Sequence, residues 1–174
     1  MAMREVYIGA ALLEGGVPII VDDLELAKDI AMYLASKKGF RLSITEPGHL
    51  SFEMGFGFYI VDARFLNEPG RLMPAPEGVS VKHVRAWHEF MPSRAPYGGV
   101  LVIANVDKMP YEDQPKLIQL LEHGEMKAIG YRLPENIYVI LHARDLRFVH
   151  PVLLDKVVYV GSRKPLSEVV ARGL

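Results

Sequence analysis

The chain has 174 residues, half of them apolar, enough for one domain spanning 1–174 with a sizeable buried core and short for two. Twenty basic and 21 acidic residues leave a net charge of −1, so no bulk field points to nucleic acid, and the lack of cysteine removes disulfides, zinc–thiolate sites and a thiol nucleophile. The apolar run after Met-Ala-Met-Arg-Glu is broken by Glu14, Gly15 and Gly16, too soon for a membrane span or a signal peptide, so a soluble cytoplasmic protein with no membrane partner is expected.

In chain order, Val6–Ala11 and Val17–Val21 read as two strands, or as a strand and a turn. Asp22 and Asp23 can cap a helix in which Leu24, Ala27, Ile30, Ala31 and Leu34 recur at helical spacing until Gly39. Arg41–Thr45 and Phe58–Val61 read as strands, and the proline- and glycine-rich stretch Asn67–Glu77 as a loop. Ser80 can cap a helix with Val81, Val84, Trp87 and Met91 on one face and Lys82, Arg85 and Glu89 outside, ending before Pro92–Pro96.

Val100–Ile103 is an uninterrupted apolar run of the kind buried on both faces in the centre of a parallel sheet. Asp113 and Pro115 open a helix with Leu117, Ile118, Leu120 and Leu121 facing inward, and Gly124 closes it. Glu125–Leu133 reads as a hairpin turning near Gly130, Ile137–Leu141 and Val157–Val160 as buried strands, and Pro151–Asp155 as a short helix between them. Strands alternating with helices predict an α/β protein with a parallel sheet.

The stretch from Gly98 to Gly161 resembles the second half of an AAA+ ATPase core. GGVLVIANVDKMP is similar to a Walker B strand, PKLIQLLEHGEMKAIGYRLPENIYVILHARDL to the helix, hairpin and sensor-1 strand that follow, and HPVLLDKVVYV to the arginine-bearing helix and last strand. Leu121-Glu122-His123-Gly124-Glu125 fits the turn found there in MoxR-type ATPases and bacterial enhancer-binding activators. The resemblance implies a three-layer P-loop NTPase core, a parallel sheet flanked by helices, able to assemble into a ring. The C-terminal helical lid is expected to be missing, since 13 residues follow Gly161.

The residues that would carry ATPase chemistry depart from the family pattern. A P-loop needs glycine N–H groups around the phosphates, a lysine and a magnesium-binding hydroxyl. In that place Val21 runs into Asp22 and Asp23, whose carboxylates repel polyphosphate. The Walker B aspartate and glutamate match Ala104 and Asn105, the sensor asparagine matches Ala143 with Arg144 one position on, and the arginine matches Lys156. The expectation is a non-catalytic protein that needs no cofactor, with residual nucleotide binding left open, and that assembles with itself or with an active AAA+ ATPase.

Two other readings stand beside it. Lys127, Tyr131 and Arg132 on the hairpin, with Lys82 and Arg85, could contact nucleic acid or a partner chain. His142, at a strand's carboxyl end, and Asp107, beyond the neighbouring strand, could form a relocated catalytic pair. His83, His88 and Glu89, or His49 and Glu53, offer two metal ligands each and no third, so no metal is expected.

Overall fold

A computed structural model describes residues 3–44, 55–65, 73–74, 83–84, 95–127 and 130–161. In chain order the elements are α1 (Met3–Glu14), β1 (Ile19–Val21), α2 (Leu24–Lys37), β2 (Leu42–Ile44), β3 (Phe56–Asp62), β4 (Met73–Pro74), β5 (His83–Val84) and β6 (Gly99–Ala104). They continue with α3 (Leu117–His123), β7 (Glu125–Met126), β8 (Tyr131–Arg132), β9 (Ile137–His142), α4 (Pro151–Leu154) and β10 (Val158–Val160).

Six strands form one sheet in the order β10-β1-β9-β6-β3-β2, and every adjacent pair is parallel. Successive residues of a strand point to opposite faces, and both faces are covered, which is why the strand sequences read as unbroken apolar runs. Ile19, Val21, Phe56, Phe58, Val100, Val102 and Ile140 pack on one face with α1 and α2 residues such as Val6, Leu13, Ile30 and Leu34. Ile20, Val61, Leu101, Ile103 and Leu141 pack on the other with Leu117 and Leu120 of α3 and Leu153 of α4. This is the expected three-layer α/β architecture, a parallel sheet flanked by helices.

The connections determine where a site can form. From β1 the chain crosses the α2 face to the far edge strand β2, then returns strand by strand, with α3 and α4 on the opposite face. Reversing both direction and face keeps the crossovers of one hand. It also sends the chain away from β1 and β9 to opposite sides, which makes the carboxyl ends of these neighbouring strands the switch point of the sheet.

Two sequence expectations are corrected. Val6–Ala11 is part of helix α1, with Val6, Gly9, Ala10 and Leu13 on its buried side. This three-to-four-residue spacing belongs to a helix lying on α2, where Gly9 permits close approach: a Cβ there would sit 2.5 Å from Ile30 Cδ1. The helix predicted from Ser80 is not present at His83–Val84, which pair antiparallel with Met73–Pro74, so an extended pair also interrupts the predicted loop. Pairing across the sequence outweighs the local spacing, and β-branched Val84 suits a strand. The rest of both segments lies outside the described residues. The helix expected to open at Asp113 begins as a 3-10 turn, Tyr111–Lys116, and becomes α-helical at Leu117. Among the described residues no helix is long and apolar enough to cross a membrane.

Candidate functional site

Polar residues first appear where the buried strands end. Asp62 is the last residue of β3, Asn105 follows β6, His142 is the last residue of β9 and Asp22 follows β1; all four are buried. Three of them form a continuous hydrogen-bonded chain across adjacent strand ends. The Asn105 backbone N–H donates to His142 Nδ1 at 3.0 Å, and Asn105 Nδ2 donates to Asp62 Oδ2 at 3.0 Å. Arg64 closes the chain, donating to Asp62 from Nε at 3.0 Å and from its terminal nitrogen at 2.7 Å, while its backbone N–H also donates to Oδ1 at 3.0 Å.

Local backbone geometry makes this possible. Asn105 is left-handed, with φ 61° and ψ 41°, a conformation that asparagine tolerates better than most side chains. Because Nδ1 of His142 accepts, the neutral ring carries its proton on Nε2. Burial pushes the His142 pKa below its ordinary value; Arg144 pushes the same way, while Asp107, Asp22 and Asp23 push it up. Bidentate pairing with Asp62 raises the Arg64 pKa, so the guanidinium stays charged.

The turn between β1 and α2 has only two residues, Asp22 and Asp23. Asp23 caps α2, accepting the Glu25 N–H at 2.9 Å, and Asp22 beside it is buried. A helix N-terminus attracts anions through its free N–H groups and dipole. Here the chain's own carboxylates, Asp22, Asp23 and Glu25, occupy that region, so a phosphate would meet negative charge.

The remaining candidates fall in separate places. Ala104 and Ala143 are buried and offer no side-chain donor; the Ala143 N–H donates to the Val21 carbonyl at 3.0 Å. Lys156 pairs with Glu122 at 3.0 Å, an exposed contact that contributes little. Asp107 accepts the Asp145 N–H at 3.3 Å through Oδ2, and its buried Oδ1 has no partner among the described residues. Asp107 influences His142 electrostatically, but no hydrogen bond joins the two among the described residues.

On the hairpin, Arg132 pairs with Glu125 at 2.6 Å, and Tyr131 packs against the core, where burial raises its pKa. Lys127 is exposed, and its N–H donates to Gln119 Oε1. Among the described residues no group of three His, Asp or Glu side chains could hold a metal ion. His83 lies in β5, while Lys82, Arg85, His88, Glu89, His49, Glu53 and Trp87 lie outside the described residues.

Three polar residues were not singled out from the sequence. Asp62 and Arg64 had a signal, a carboxylate ending an apolar run with a cation two residues on. Gln114 had none, because it reads as a solvated helix residue. It is buried, donating to the carbonyls of Met109 at 3.1 Å and Phe148 at 2.9 Å and accepting the His150 N–H at 2.7 Å. Gln114 thereby joins the segments that follow β6 and β9.

No protein-family model and no curated protein matches the chain. In structure it is similar to NtrX of Brucella abortus, at 17% identity and TM-score 0.49, over 92% of this chain and 36% of that one. It is also similar to a DNA polymerase III gamma-subunit-related protein of Thermotoga maritima, at 14% identity and TM-score 0.46, over 94% of this chain and 47% of that one. The chain thus spans less than half the length of either protein.

Proposed function

We propose that this chain is a non-hydrolysing protein of AAA+-like architecture that acts through interaction, as an assembly subunit joining copies of itself or an active ATPase. The observation that carries the reading is the closed chain Arg64–Asp62–Asn105–His142 at the carboxyl edge of the sheet. Phosphoryl chemistry needs N–H groups free to wrap phosphates and carboxylates free to hold magnesium. Here the buried carboxylate of Asp62 is spent on Arg64 and Asn105, the strand-end imidazole accepts a backbone N–H, and the β1–α2 turn is short and acidic.

An interaction role draws support from the same edge. Tyr111, Phe148 and Val152 are about half exposed, and the Tyr111 ring stacks on His150 at 4.5 Å. Gln114 fixes the backbone beneath them. Apolar side chains held outward on a rigid base are suited to a protein partner. A nucleic-acid role has less support, since Arg132 is already paired and Tyr131 packs inward. A relocated enzyme site at His142 and Asp107 has less support, since no hydrogen bond joins the two among the described residues.

The test is a thermal-shift titration with magnesium and ATP or ADP, together with a hydrolysis assay and light scattering across the accessible concentration range. A ligand bound only by the native state raises its stability, so an unchanged melting temperature is expected. Magnesium-dependent hydrolysis would overturn the non-hydrolysing half of the proposal. A chain that stays monomeric and retains no ATPase partner would overturn the assembly half.

A further inference from the structure

We propose that His142 is a proton-operated latch between β9 and the turn that follows β6, holding the turn closed when the ring is neutral and releasing it when the ring is protonated. The geometry permits one protonation state. Nδ1 accepts the Asn105 N–H at 3.0 Å, and an imidazolium carries hydrogen on both nitrogens, so protonation sets two donors against each other. The left-handed backbone of Asn105 directs its N–H to His142 and its side chain to Asp62, so a push on the first bond also strains the second.

The turn that is released matters because of its neighbours. Val106–Lys108 abuts the turn Ala63–Phe65 on one side and Leu146–Phe148 on the other. Asp107 reaches across to the Asp145 N–H, so moving this turn also disturbs the segment that carries Phe148. The latch therefore couples proton concentration to the carboxyl edge as a whole, a regulatory property beyond assembly itself.

The charged groups around the ring come from each adjoining segment. Asp107 follows β6, Arg144 follows β9, and Asp22 and Asp23 follow β1. Asp62 and Arg64, at the end of β3, act through Asn105. Asp107, Asp22 and Asp23 favour the imidazolium, while burial and Arg144 disfavour it, and the net direction is downward. The sign follows from linkage. With a folded pKa below the unfolded value near 6.5, the unfolded state takes up the proton first. Stability is then complete above that value and is lost as pH falls towards the folded pKa.

The experiment is a pH series on the intact chain, following the His142 ring by NMR and the hydrogen-exchange protection of the Asn105 amide relative to its intrinsic rate. The expected result is a His142 midpoint below the usual histidine value. At that same pH, Asn105 should lose at least tenfold protection while Leu101, in the middle of β6, stays protected. His142→Asn offers an acceptor near the position of Nδ1 that does not titrate, so Asn105 should remain protected there throughout. Asn105 protection that persists while the ring titrates overturns the proposal. So does loss of protection at the same pH in His142→Asn, or a ring that does not titrate before global unfolding. Should His142→Asn fail to fold, the coincidence of the two midpoints in the unaltered chain still decides the matter.

Discussion

At the scale of single residues, the carboxyl edge is governed by a buried charge, Asp62, and its cationic partner, Arg64. The Asp62 side chain is 0% exposed, whereas Arg64 is 37% exposed, so the two partners are not equivalent. Removing the carboxylate leaves an arginine that water already reaches. Removing the arginine strands a carboxylate that water does not reach. Arg64→Ala is therefore expected to cost more than Asp62→Asn, about 2–3 kcal/mol, below the full cost of breaking a buried pair because water already reaches the guanidinium. Urea denaturation of both variants at pH 7 measures the order, and equal costs would contradict the account. Asp62 was legible in principle, as a carboxylate closing an apolar run, while the role of Gln114 depends on carbonyls five and 34 residues away that no local pattern reveals.

At the scale of elements, legibility followed the length and regularity of the apolar pattern. Helix α2 was readable because its apolar positions repeat over several turns and Asp23 and Gly39 mark its limits, and β6 and β9 because unbroken apolar runs bounded by turn residues suit strands buried on both faces. Helix α1 was not, since a short stretch rich in apolar residues satisfies both the strand and the helix pattern, and only its packing on α2 separates them. The centre of the sheet carries a further constraint, in the glycine that starts β6. A Cβ on Gly99 would lie 2.6 Å from the carbonyl oxygen of Gly57 on the paired strand and 3.0 Å from Ile137 Cδ1 on the other side. One obstacle is backbone in a central strand and cannot rotate away. Gly99→Ala is expected to destabilise the chain by about 1–3 kcal/mol through overpacking. Chemical denaturation provides the check, and a variant as stable as the original would show that the β3–β6 pair can part without cost.

At the scale of the whole molecule, the strand order was beyond the reach of local pattern, because placing β1 between β9 and β10 joins residues more than 100 positions apart. That order gathers strand ends from four parts of the chain on one edge, and the same edge presents Tyr111, Phe148 and Val152 to solvent. If assembly uses this surface, its energy should be concentrated in the large exposed ring of Phe148, since a few aromatic anchors usually dominate an interface. Arg147 lies over that ring at 5.7 Å from its centroid and pairs with Asp145, so the ring is flanked by a paired cation and can be covered without stranding a charge. Phe148→Glu places a carboxylate where a partner would bury an aromatic face. A loss of about 2 kcal/mol, roughly 30-fold in association constant, is expected. Met32 provides the control, being similarly exposed on α2 on the other side of the sheet, and Met32→Glu should leave association unchanged. Sedimentation equilibrium of the three chains, with melting temperatures to show that each is folded, distinguishes the outcomes. Weakening by Phe148→Glu alone supports assembly through the carboxyl edge; weakening by Met32→Glu alone moves the contact to the helical face and removes the link between the polar chain at the strand ends and the partner.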